Sequence, residues 1–104
     1  MLDELIDNNV TLFINSIIEM ELLQGARDKV ELRRIEKKLT QFRLLNMQQI
    51  IVDLATQFIR DYRLSHGLLI PDALISATAV YYQMPLLTYN RKDFSYLPSI
   101  ILKS

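Results

Sequence analysis

The chain has no cysteine, a single histidine, two glycines and three prolines in 104 residues. Without cysteine, a disulfide framework, a thiolate zinc site and a thiol nucleophile are all excluded. So few Gly and Pro, with half the residues hydrophobic, do not make a disordered or low-complexity chain. No apolar run reaches the ~18 residues of a membrane-spanning helix. The start, Met1-Leu2-Asp3-Glu4, lacks the basic character of a signal or transit peptide, so neither is expected. No nucleophile triad, Gly-rich phosphate loop or zinc-ligand spacing is present. The length suits one domain spanning residues 1–104, and a small cytoplasmic globular domain is the default expectation.

Charge is balanced overall, 12 basic against 12 acidic, but unevenly distributed. Residues 1–25 carry Asp3, Glu4, Asp7, Glu19 and Glu21 with no Lys or Arg, a local net of −5. Residues 26–43 carry seven basic and three acidic residues, a local net of +4. Such segregation has two readings: a surface for nucleic acid or an acidic partner, or simply a solvated helix face.

Hydrophobic periodicity predicts alternating helices and short strands. Met1–Asn8 reads as the end of a helix. Val10–Ile14 reads as a buried strand, and Asn15-Ser16 as the cap of a helix over Ile17–Gln24 that Gly25 stops in the C′ role. Ala26–Phe42 reads as one long charged helix with a narrow apolar stripe of Leu32, Ile35, Leu39 and Phe42. A very short strand is expected within Arg43–Met47. Gln48–Ser65 should form a helix whose buried face carries Ile51, Leu54, Ala55, Phe58 and Tyr62, ended by His66-Gly67. Pro71 suits the first position of a helix running to about Gln83. Its Ala73, Ser76, Ala77 and Ala79 permit close packing. Pro85–Thr88 and Ile100–Leu102 read as further strands, with a turn or a single helical turn over Asn90–Phe94. Apolar strands without inside/outside alternation, interleaved with helices, predict an α/β domain with a short parallel sheet flanked by helices.

Three carboxylates are candidates for chemistry. Glu21 lies on the short helix after the first strand. Asp72 opens the Pro71 helix. Asp93 follows the Leu86-Leu87-Thr88 strand, with Thr88 and Asn90 as site-supporting polar groups. In an open α/β sheet, ligands bind beyond the carboxyl ends of the strands, where these acids could converge. Clustered carboxylates raise one another's pKa unless a cation lies among them. An all-oxygen donor set favours Mg²⁺ or Mn²⁺, which can activate water for phosphodiester hydrolysis. Each acid also has a plainer reading. Asp72 is favourable against its own helix dipole; Asn90 and Asp93 are spaced as a capping box; Glu19 and Glu21 are candidates for solvated helix acids. His66 reads as a partner of its helix C-terminus rather than a ligand, and Tyr81-Tyr82 as core or interface.

The order of these motifs resembles that of PIN domains, above all the VapC-type toxins of bacterial toxin–antitoxin pairs. Glu21-Leu22-Leu23-Gln24-Gly25 is similar to the family's second acidic motif. Ile70-Pro71-Asp72-Ala73-Leu74-Ile75-Ser76-Ala77-Thr78-Ala79 resembles the third, in which an aspartate opens a small-residue helix. Met84-Pro85-Leu86-Leu87-Thr88-Tyr89-Asn90-Arg91-Lys92-Asp93-Phe94 resembles the fourth, a strand ending in Thr-x-Asn and then Asp-Phe. The family's first strand, which ends in Asp-Thr-Asn and supplies the first metal aspartate, has no counterpart here. Ile18 stands where VapC-like sequences often have Thr.

The resemblance implies a Mg²⁺- or Mn²⁺-dependent endoribonuclease with Glu21, Asp72 and Asp93 as metal-binding acids. Arg33, Arg34, Lys37, Lys38, Arg91 and Lys92 would then contact RNA phosphates. With one acidic motif unmatched, metal binding is expected to be weak and activity low or absent. The alternative is an inactive PIN-like remnant that oligomerises or binds an antitoxin. A sheet lacking its usual first strand exposes unpaired edges, which leads to the expectation of a homodimer or higher oligomer.

Overall fold

The computed structural model describes residues 12–88 and 90–103. The helix expected over Met1–Asn8, the first residues of the Val10–Ile14 run, and Tyr89 lie outside the described residues. The chain divides into two compact units, Met1–Asn46 and Met47–Ser104.

In the first unit the β-branched and aromatic run yields β1 (Phe13–Ile14), which pairs in parallel with β2 (Arg43–Leu44). Phe13 lies opposite Arg43, and Ile14 opposite Leu44. Asn15 ends the strand and caps α1 (Ser16–Gln24). Its extended backbone, φ −104° and ψ 175°, leaves Oδ1 to accept the Ile18 N–H at 3.0 Å. This satisfies one of the amides that a helix start leaves unpaired. Gly25 is not the left-handed C′ residue expected: its φ of −72° is right-handed, and its N–H follows the helix ladder to the carbonyls of Glu21 and Leu22.

The charged helix is shorter than Ala26–Phe42. Asp28 caps α2 (Lys29–Leu39), accepting the Glu31 N–H at 2.8 Å, and Thr40 closes it. An Asp at this position competes with helix propagation by offering its own side chain to the backbone, so the helix starts after it. Just ahead of the cap, Arg27 grips Glu31 in a two-pronged ion pair, 2.8 Å at the shorter contact. The Arg27 hydrogen bonds hold the Glu31 carboxyl below its ordinary pKa.

The second unit is built on α3 (Gln49–His66) and α4 (Ile70–Tyr81), which pack against one another. Ile51, Ala55 and Phe58 of α3 are buried, with Leu54 and Tyr62 packed partly beneath the surface, as the stripe predicts. Ala73, Ser76, Ala77, Thr78 and Ala79 of α4 are buried too. Small side chains there let the helices approach closely, and Leu68, Phe94 and Leu97 complete the core. Fully burying an Ile or Phe contributes about 1.5–3 kcal/mol, and these side chains are the unit's main source of stability. Gly67 adopts φ +72°, a left-handed turn that ends α3 and returns its N–H to the Arg63 carbonyl at 2.9 Å. The chain then enters α4 with Ile70 as first residue and Pro71 as second, one position later than expected. Beyond α4, β3 (Leu86–Leu87) pairs in parallel with β4 (Leu102–Lys103). Strand pairing is therefore parallel throughout the described residues, in two separate two-stranded ladders, one in each unit. Among the described residues no helix is long and apolar enough to cross a membrane.

Candidate active site

Two of the three predicted acids come together in the second unit. Asp72 lies in the first turn of α4, where the helix dipole favours a carboxylate. It is half-buried, and that burial, followed by the nearby Asp93 charge, pushes its pKa above the ordinary aspartate value. Asp93 is exposed and ends the 3-10 turn Arg91–Asp93 that follows β3. Both acids line a cavity of about 230 Å³.

Thr88 and Asn90 support this end of the strand, though not as a capping box. The Asn90 N–H donates to Thr88 Oγ1 at 3.0 Å, and Asn90 Nδ2 donates to Asp93 Oδ2 at 2.5 Å. The Asn90 side chain accepts no capping bond from the turn. The amide spans from strand end to carboxylate and orients Asp93, because a charged acceptor outcompetes a neutral backbone group for the donor.

Tyr96, His66 and Lys92 also line the cavity, together with Gly67, Leu68 and Leu69. Burial and the charges of Asp72 and Asp93 push the Tyr96 phenol above its ordinary pKa and keep it protonated. His66 does sit at the end of α3 as expected, but it also stacks on Tyr96, with ring centroids 3.9 Å apart. Neither is marked as a cavity residue by the sequence alone. The available signal was position: His66 directly precedes the Gly67 turn that leads into Asp72, and Tyr96 lies three residues beyond Asp93. Tyr81 and Tyr82 meet edge to face at 5.0 Å. Tyr82 packs on the core, while the exposed Tyr81 hydroxyl donates to Gln48 Oε1 at 3.1 Å.

Glu21 is exposed on the last turn of α1, in the first unit. Among the described residues no three His, Cys, Asp or Glu side chains gather as the ligands of one metal ion. The donors assembled at the cavity are two carboxylates, hard oxygen ligands of the kind Mg²⁺ and Mn²⁺ take. Of the candidate phosphate contacts, Arg33, Arg34 and Lys37 are exposed on α2 and Lys38 is half-buried, while Arg91 and Lys92 are exposed beside Asp93.

A parallel α/β fold with an acidic pair beyond a strand's carboxyl end defines the class. The chain belongs to the PIN-domain family, whose profile matches residues 2–99. Among solved structures it is similar to a toxin–antitoxin complex from Klebsiella pneumoniae. There the identity is 28%, the match covers 95% of this chain and 80% of that one, and the TM-score is 0.73. It is also similar to VapBC2 from Rickettsia felis bound to a DNA fragment from its promoter, at 26% identity over 96% of this chain and 79% of that one, TM-score 0.70. VapBC-1 from nontypeable Haemophilus influenzae shares the fold at 19% identity, over 98% of this chain and 82% of that one, TM-score 0.77. No curated protein matches the chain.

Proposed function

We propose that the chain acts as one PIN domain, the toxin half of a toxin–antitoxin pair, and hydrolyses RNA phosphodiesters weakly with a divalent cation. The observation that carries this reading is the mutual approach of Asp72 and Asp93 at one cavity, where burial and like charge raise the Asp72 pKa. A bound Mg²⁺ or Mn²⁺ would neutralise the pair and supply activated water and charge compensation at a phosphodiester. Asp72 and Asp93 would hold the ion, Asn90 would keep Asp93 oriented, and Lys92 would attract the phosphate backbone. Glu21 is proposed as a metal-site acid on the strength of its motif alone. Arg33, Arg34, Lys37, Lys38 and Arg91 are the further proposed phosphate contacts.

The antitoxin partner is proposed from the toxin–antitoxin complexes the chain is similar to, and a cytoplasmic location and self-association follow the same reading. The second reading is a PIN-fold module that binds an antitoxin without cleaving RNA. It is favoured by the small donor set at the cavity, since two carboxylates hold a hard cation weakly. Incubating the purified chain with single-stranded RNA and Mn²⁺ separates the two. The nuclease reading expects slow cleavage that EDTA stops and that Asp72→Asn lowers by about 100-fold or more, the scale of losing electrostatic stabilisation at a reacting centre. Cleavage equal in the variant would sink it, and no cleavage by the native chain would leave the binding module.

A further inference from the structure

One wall of the cavity takes no part in the chemistry proposed above. His66 and Tyr96 stack with centroids 3.9 Å apart and planes inclined by only 13°. Tyr62, one turn earlier on α3, meets the His66 ring edge-on at 5.9 Å and the Tyr96 ring at a tilt at 5.2 Å. Phe58 in turn meets Tyr62 edge-on at 6.5 Å. Phe58 is core and His66 is exposed, so a ladder of rings runs outward from the core and ends at the cavity. The contact between Ser65 Oγ and His66 Nδ1, 2.7 Å, restrains the terminal ring.

Near-parallel rings lining a cavity of mixed polar and apolar character offer a face onto which another planar group can extend the stack. Unpaired bases of single-stranded RNA bind proteins in this way, and the interaction tolerates any base because each has a π-face. The cavity, about 230 Å³, is below the roughly 300 Å³ at which small-molecule pockets begin, so it suits one planar group rather than a dinucleotide. Lys92 lines the same cavity and Arg91 is exposed next to it, two cations that offset the Asp72 and Asp93 charges and let a phosphate-bearing strand approach the rings.

We propose that His66 and Tyr96 form a stacking platform for one unpaired base of single-stranded RNA, which positions the adjoining backbone at Asp72 and Asp93. The identity of the strand rests on the nuclease reading, but the platform's test requires neither metal nor cleavage. A short oligoribonucleotide carrying 2-aminopurine at one inner position is titrated with the full chain in EDTA, and fluorescence quenching reports stacking. The native chain should quench saturably. His66→Ala should weaken the apparent affinity by about tenfold, and His66→Phe, which keeps a flat ring, should restore it. Circular dichroism of both variants verifies that the helices persist.

Quenching by His66→Ala equal to that of the native chain would overturn the platform, as would no quenching by the native chain. So would His66-dependent binding of an arginine-containing peptide in place of the oligonucleotide. Quenching that depends on His66 in a chain that never cleaves RNA would support the platform and reject the nuclease. Metal-dependent cleavage with quenching indifferent to His66 would do the reverse.

Discussion

Asp72 is held in a half-buried first turn beside a second carboxylate, and both influences oppose its ionisation. Its folded-state pKa therefore exceeds the value it has in the unfolded chain, and this fixes the sign of its linkage to stability. The contribution is fully present below the unfolded pKa, where both states hold the proton. It is lost as pH rises through the raised folded value. Thermal melts of the native chain should thus show stability falling over that window, and Asp72→Asn should remove the fall, leaving the variant at least as stable as the native chain at pH 7. A variant with the same pH slope would mean that Asp72 is unperturbed. Asp93→Asn should reduce the fall without abolishing it, because burial is the larger cause and Asp93 the smaller. Asp72 and Asp93 were both legible in the sequence, since each opens or follows an element whose boundaries its own residues announce. His66 and Tyr96 were not legible as neighbours. They lie 30 residues apart, and no local periodicity encodes a contact made through the packing of α3 against the segment after β3.

The two glycines show how far an element's end can be read. Each follows a helical pattern, yet Gly67 is left-handed at φ +72° and Gly25 is right-handed at φ −72°. A Cβ at Gly67 would meet only the end of the flexible Arg63 side chain at 3.6 Å, so the cost of Gly67→Ala is conformational, about 1–2 kcal/mol. At Gly25 the nearest atom to a new Cβ is the Leu22 carbonyl oxygen at 3.4 Å, an ordinary contact. Gly25→Ala should therefore be neutral or stabilise by up to about 1 kcal/mol, by narrowing the unfolded ensemble. Urea denaturation of the two variants checks this, and equal destabilisation by both would contradict it. The helices were legible because their apolar stripes recur every three to four residues over many turns. The strands were overread in length. Of Pro85–Thr88, Leu86 and Leu87 stand opposite Leu102 and Lys103 and the Thr88 N–H donates to the Lys103 carbonyl at 3.0 Å, while Ile100–Leu102 shifts to Leu102–Lys103. Ile101 still accepts the Leu86 N–H at 2.7 Å, while Ile100 packs on the core instead. An apolar run records burial, but the paired residues are chosen by the partner strand, which the run does not contain.

At the scale of the whole molecule, the described strands form only two-stranded parallel ladders, and such ladders are marginal unless their edges are paired or covered. In the β1–β2 ladder Phe13 is 40% and Leu44 54% exposed, apolar surface that association would remove from water. Light scattering at micromolar concentration is expected to give a dimer or larger species, with Leu44→Lys shifting it toward monomer; a folded monomer of the native chain would contradict this. Above the question of assembly stands the claim that a PIN-family acidic pair, Asp72 and Asp93, is a divalent-cation site. Calorimetric titration of Mn²⁺ into the full chain and into Asp72→Asn tests it most directly. Weak, single-site binding by the native chain and none by the variant is the expected result. Tight binding that survives the substitution, or no binding by the native chain, would contradict it.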